Sequence, residues 1–130
     1  MGKKKQIVLC DTTILFELFK GNSEIKKTLD KIGNENVAFS IITHAEAYAG
    51  SSKEDLRTFK SFFSKHQMYY LDKTSSEIFN GLIQSNHTRH SKWIPDALIG
   101  ATAISNGLEL YTLNRKDFDF IPNLKLYNPS

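Results

Sequence analysis

The 130 residues hold one cysteine, three prolines and no apolar run long enough to cross a membrane. Cys10 alone excludes an internal disulfide and fits a reducing cytoplasm. The apolar stretch from Ile7 to Cys10 is too short for a signal peptide, and Gln6 stands where a myristoylation signal wants Ser or Thr. No cysteine pairs or convergent histidines propose a zinc cage. Of the four histidines only His87 and His90 are three apart, and they read as surface residues. No Ser-His-Asp or Cys-His arrangement is evident. Charge of one sign is also scarce, since a net charge of +3 is a weak pointer to nucleic acid on its own. Lys3, Lys4 and Lys5 read as a solvated tail. There is no repeat, low-complexity tract or linker, so residues 1–130 read as a single domain.

What is present is alternation. Apolar residues make up 40% of the chain, and short apolar runs alternate with amphipathic stretches, the pattern of a parallel sheet covered by helices. Strands are expected at 6–10, 37–40, 68–71, 110–113 and 125–127. Helices are expected at 12–20, 23–32, 43–49, 53–65, 75–90 and 95–107, several stopped by glycine. The fold class is therefore α/β, in three layers around a mostly five-stranded parallel sheet.

Carboxylates sit at the ends of these elements. Asp11 follows the first apolar run directly, where open α/β sheets place their ligands. Asp96 follows Pro95 and opens a helix that is apolar on nearly every side. Glu46 lies in a run of small residues, and Asp117 just after a strand. Each has a plain structural explanation: a helix-start carboxylate for Asp96, a capping box with Thr43 for Glu46, and a loop acid or local pair with Arg115 or Lys116 for Asp117. Together at one sheet edge they would repel one another in a low-dielectric cleft unless a cation lay between them. An oxygen-only donor set suits Mg²⁺ or Mn²⁺.

At these residues the sequence resembles the PIN domains, and more narrowly the VapC-type toxins. Asp11-Thr12-Thr13-Ile14-Leu15 is similar to the family's opening motif, and Ile42-Thr43 with Glu46 and Gly50 to its second. Asp96-Ala97-Leu98-Ile99-Gly100-Ala101-Thr102-Ala103 is similar to its third. Leu110 to Asn114, with Asp117-Phe118, is similar to its last. The resemblance implies an RNA-cleaving nuclease in which Asp11, Glu46 and Asp96 hold Mg²⁺ or Mn²⁺. Asp117 is the fourth carboxylate, with Asp119 its rival, and Thr12, Thr13, Thr112 and Asn114 stand at polar supporting positions. It also implies a homodimer and a cognate antitoxin protein. Gly100 departs from the family, standing where alanine is usual.

With the four site acids set aside, seventeen Lys and Arg against the remaining ten acids leave +7, a balance suited to a polyanion. Lys92, Arg115 and Lys116 are candidate phosphate contacts, and Trp93 is either core packing or a stacking surface for a base. An RNA-processing PIN nuclease and a non-catalytic RNA-binding PIN domain are the nearest rivals, and the short chain without an appended domain favours the toxin. A phosphoacceptor receiver domain would want adjacent acids after the first strand, where Asp11 stands alone. The helix at 53–65 carries Phe62 beyond the inward stripe of Leu56, Phe59 and Phe63. The first helix has a similar excess, so a groove between them is expected to receive a partner's helix.

Overall fold

The computed structural model describes residues 6–130; the basic tail at Lys3–Lys5 lies outside them. Four strands, β1 (Val8–Cys10), β2 (Val37–Ser40), β3 (Gln67–Tyr69) and β4 (Glu109–Tyr111), alternate with six helices. These are α1 (Thr12–Phe19), α2 (Ser23–Ile32), α3 (Ile41–Tyr48), α4 (Lys53–Phe63), α5 (Lys73–Ser85) and α6 (Ile94–Ser105). The strands form one parallel sheet in the order β3-β2-β1-β4, with Leu9 opposite Ala38 on one side and Leu110 on the other.

Side chains alternate across the sheet, and each set builds one core. Val8, Cys10, Val37, Phe39 and Tyr111 pack with residues of α1, α2 and α4. Leu9, Ala38 and Leu110 pack with Leu82 of α5 and with the α6 residues Ala97, Ile99, Ala101 and Ala103. This is the three-layer arrangement expected, and it explains why β1 reads as continuously apolar: both its faces are covered. The expected fifth strand is reduced to a single parallel bridge between Leu110 and Leu126. Leu110 N donates to Lys125 O and Tyr127 N to Leu110 O, but pairing stops there. Pro122 and Pro129 flank this stretch, and proline lacks the N–H that a longer ladder would need.

Local chemistry sets several boundaries differently from the sequence reading. Ser40 rather than Thr43 caps α3, which starts two residues earlier than expected. Asp72 and Ser75 form a capping box that starts α5 at Lys73. The same helix ends at Ser85, not at 90, because Asn86 takes the Leu82 carbonyl with both its backbone N–H and its side-chain amide. On α4, Phe59 and Phe63 are buried as expected. Leu56 instead stays exposed, and Phe62 is half-buried, edge-on to Phe39 and Phe19. Phe16 and Phe19 of α1 remain more than a third exposed. Among the described residues no helix is long and apolar enough to cross a membrane.

Gly100 lies within α6 beneath Ile121, and a Cβ placed there would come within 2.5 Å of the Ile121 Cδ1 atom. Alanine would gain roughly 0.5–1 kcal/mol of helix propensity, but overpacking of this kind costs about 1–3 kcal/mol. Gly100→Ala is therefore expected to lose about 1 kcal/mol in urea unfolding. Ile121→Val deletes the clashing methyl, so Gly100→Ala in that background should lose nothing further. Equal losses in the two backgrounds would show that the contact does not account for the glycine.

Candidate active site

β1 ends at Cys10 and α1 starts at Thr12, so Asp11 is the whole junction between them. The chain builds β2 and β3 on one side of β1 and then crosses to lay β4 on the other. The carboxyl ends of β1 and β4 thus border the point where the strand order reverses, the usual ligand position in open α/β sheets. Asp11 sits there, only 2% exposed. Its backbone N–H donates to the Tyr111 carbonyl at 3.0 Å, extending the β1–β4 ladder by one bond.

Three donors hold the Asp11 carboxylate. Oδ1 accepts from Thr13 Oγ1 at 2.5 Å and from the Ile14 N–H at 3.2 Å, which also caps α1. Oδ2 accepts from Thr112 Oγ1 at 2.5 Å. Both hydroxyls are themselves fixed: Thr13 accepts from the Leu113 N–H, and Thr112 from the Asn114 N–H. Of the expected supporting residues, Thr13 and Thr112 therefore act through their side chains, and Asn114 through its backbone. Burial still pushes the Asp11 carboxyl above the ordinary aspartate value, against the opposing pull of these hydrogen bonds.

Glu46 is placed by α3. The Ser40 hydroxyl accepts from the Thr43 N–H, which leaves Thr43 inside the helix and dissolves the expected Thr43–Glu46 capping box. Thr12 instead donates to Glu46 Oε1 at 2.6 Å. A hydroxyl has one proton, so in the 3.0 Å contact between Thr12 and Thr43 the donor is Thr43. The fully buried Thr43 is a positioning residue that the sequence reading took for a cap.

Asp96 lies in the first turn of α6, half-buried, with no hydrogen bond or ion pair among the described residues. A helix start should favour the charged form. Burial, followed by the charges of Asp117, Asp11 and Glu46, instead pushes its carboxyl up to about 6. Asp117 is exposed in the 3-10 turn Arg115–Phe118 and makes no ion pair with its basic neighbours. Arg115 Nη1 donates to the Tyr127 carbonyl instead. Asp117 shares with Asp96 a cleft of about 300 Å³ lined also by Arg89, Lys92, Trp93 and Lys116. Asp119 lines a different cavity, of about 610 Å³, beside α5 and Phe120. That larger cavity holds no other acid, so the chemistry lies with the carboxylates and not with the greater volume. Trp93 is 9% exposed and edge-on to Phe120, so its ring is core packing. His87 and His90 are exposed, as expected.

The donor set can be compared with a hard divalent ion. All four groups offer oxygen, and Asp96 and Asp117 have no competing donor among the described residues. Among the described residues, however, no three Asp, Glu, His or Cys side chains stand close enough to cage a metal. The acids share one electrostatic neighbourhood and not one point. That spacing suits Mg²⁺ or Mn²⁺, which keeps several waters and takes one or two carboxylates, and not an ion needing an all-protein cage. Without a cation the arrangement is destabilising. The folded pKa of Asp96 is about 6 against an ordinary 3.8. Its contribution is neutral when both states are protonated, and stability falls as pH rises from about 4 through about 6.

The chain matches the PIN domain family over residues 8–122. Among solved structures it is similar to a chain of the toxin–antitoxin complex from Klebsiella pneumoniae. The identity is 32% and the TM-score 0.76, with 95% of this chain and 98% of that one covered. It is also similar to a chain of VapBC2 from Rickettsia felis bound to a promoter DNA fragment, at 25% identity and TM-score 0.78, covering 95% and 98%. DNA-bound VapBC from Salmonella typhimurium shares the fold at 19% identity and TM-score 0.80, covering 96% and 99%. No curated protein matches the sequence. With four acids gathered around the strand-order reversal and the family matched from the first strand to the last turn, the chain belongs to the PIN domain family.

Proposed function

We propose that this protein is a Mg²⁺- or Mn²⁺-dependent endoribonuclease, the toxin of a toxin–antitoxin pair, working in the cytoplasm as one nuclease domain. The observation that carries the reading is Asp96: a half-buried carboxylate with no donor or cation of its own among the described residues, raised first by burial and then by three other acids. Four acids that repel one another also repel a phosphodiester, so the site calls for a cation that the substrate can share.

In this reading Asp11, Glu46, Asp96 and Asp117 surround the ion, one or two of them binding it directly and the others through its waters. When bound, it supplies a water activated for attack on phosphorus and positive charge for the leaving oxygen. The protein's own residues supply position. Thr13, Thr112 and the Ile14 N–H fix the Asp11 oxygens, and Thr12, held by Thr43, fixes Glu46. In the metal-free protein Asp96 takes up a proton near pH 6, so the ion should bind more weakly as pH falls through that range. Asp117 is preferred to Asp119 as the fourth acid because only Asp117 raises Asp96 and shares its cleft.

Purified protein should cut single-stranded RNA with Mg²⁺ or Mn²⁺ and stop on addition of EDTA. Asp96→Asn should lose at least about 100-fold in rate, and Asp117→Asn about 10- to 100-fold, the scale of weakened metal binding. Asp119→Asn should stay within about twofold. Full activity in Asp96→Asn would refute the nuclease reading, and a loss confined to Asp119→Asn would reassign the fourth acid.

The partner proposal is supported by the neighbours, which are toxin–antitoxin or VapBC complexes, and by the apolar patch of Phe16, Phe19 and Leu56 left open on α1 and α4. An antitoxin's amphipathic helix would cover it, and a second copy of the chain would form the homodimer through another face. Phe19→Glu should weaken antitoxin binding at least about tenfold, by burying a charge, while leaving RNA cleavage and sedimentation as a dimer unchanged. Undiminished antitoxin affinity would move the partner off this patch.

A further inference from the structure

The cleft beside Asp96 and Asp117 has a second wall of opposite sign. Arg89, Lys92 and Lys116 line it together with Trp93. Among the described residues none of the three cations forms an ion pair, although two carboxylates line the same cleft. Arg89 is held by its stack on Phe120, its guanidinium carbon 4.4 Å from the ring centre. It reaches the cleft because α5 stops at Ser85, which puts residues 86–90 in a connecting loop. The indole N–H of Trp93 is buried and has no acceptor among the described residues. Leaving such a donor unmade costs about 1–3 kcal/mol, and buried polar groups are ordinarily paired.

We propose that this cleft is an anion subsite that holds a phosphate of single-stranded RNA next to the one cut. The reading rests on the nuclease assignment above. Three cations surround the phosphate, and Trp93 forms part of the cleft's lining. Arg89 is then a substrate-positioning residue: its planar fork presents two donors to a phosphate in a fixed direction. A volume of about 300 Å³ equals roughly ten waters, room for a phosphodiester group but not for a protein segment. The division of signs gives the strand a register. One phosphate rests on the cations while its neighbour lies over the acids, where a divalent ion is needed. Arg115, turned to Tyr127, has no part in this.

The test uses the full chain in EDTA, so that binding is read without cleavage. The probe is a twelve-nucleotide single-stranded RNA. Trp93 is the chain's one tryptophan, and its fluorescence should change on binding. Each phosphate contact contributes about 0.7 to the slope of log affinity against log salt for single strands. The triple variant Arg89→Met/Lys92→Met/Lys116→Met removes one phosphate contact, so it should lose about 0.7 from that slope and bind at least about tenfold more weakly. If loss of the Phe120 stack unfolds it, the double variant of the exposed Lys92→Met and Lys116→Met, which keeps Arg89 on Phe120, should lose most of that change of about 0.7. Lys27→Met on α2 should lose nothing. An unchanged slope in the folded variants, or RNA binding without a Trp93 response, would overturn the subsite. Wild-type protein that binds as described but never cleaves with Mn²⁺ would overturn the nuclease reading and leave the subsite standing. Cleavage with normal binding by the triple variant would do the reverse.

Discussion

A carboxylate taken out of water must be solvated by the protein, and the end of β1 is built around that need. Asp11 receives hydrogen bonds from Thr13 and Ile14 in the first turn of α1 and from Thr112, 101 positions away. Those bonds tie β1, α1 and the segment leaving β4 into one unit, with Leu113 and Asn114 held in turn by the same hydroxyls. The first helix uses this carboxylate as its cap, and the proposed site uses the same carboxylate at the sheet's edge. Structural and functional explanations of Asp11 are therefore the same set of bonds, seen from two sides.

The other acids are not treated so generously. Glu46 has one donor, Thr12, while Asp96 and Asp117 have none among the described residues. Four negative groups in one neighbourhood, two without donors, oppose folding at neutral pH. The fold tolerates this because it is anchored elsewhere: β1 is covered on both faces, and aromatic rings of α1, α4 and β2 interlock from Phe16 to His44, which stacks on Phe63 at 3.7 Å. Strain of this kind, kept at a site and offset by the core, is what a cation-dependent centre requires.

Much of the architecture was legible because burial dictates it. Continuous apolar runs gave β1 and β2, and the spacing of Ile25, Leu29 and Ile32 gave α2 to the residue. The fifth strand misled because Leu126 has the right character, while its pairing, a tertiary matter, ends after one bridge. Glu46 misled because Thr43 and Ser40 are both plausible caps. The choice fell to Ser40 since α3 begins directly at the strand's end. The Thr12–Thr43 contact joins residues 31 apart and leaves no local trace. Arg89 was hidden inside a helix expected to run to 90, and only the Asn86 bonds to Leu82 reveal that the helix stops short. Trp93 offered packing and stacking equally, and the ring's burial chose packing.

The central claim is that burial of Asp96 and repulsion among the site acids together create the demand for a divalent ion. Thermal unfolding of the metal-free protein tests it most directly. The difference between 3.8 and about 6 for Asp96 corresponds to up to about 3 kcal/mol, reduced by solvent screening at a half-buried group to about 1 kcal/mol. The account predicts that Asp96→Asn is more stable than the parent at pH 7.5 by that amount, a rise of about 3–5 °C in Tm, with the advantage fading toward pH 4. Mn²⁺ should raise the parent's Tm and move the variant's much less. A variant no more stable than its parent at pH 7.5, or one that Mn²⁺ stabilises equally, would contradict it.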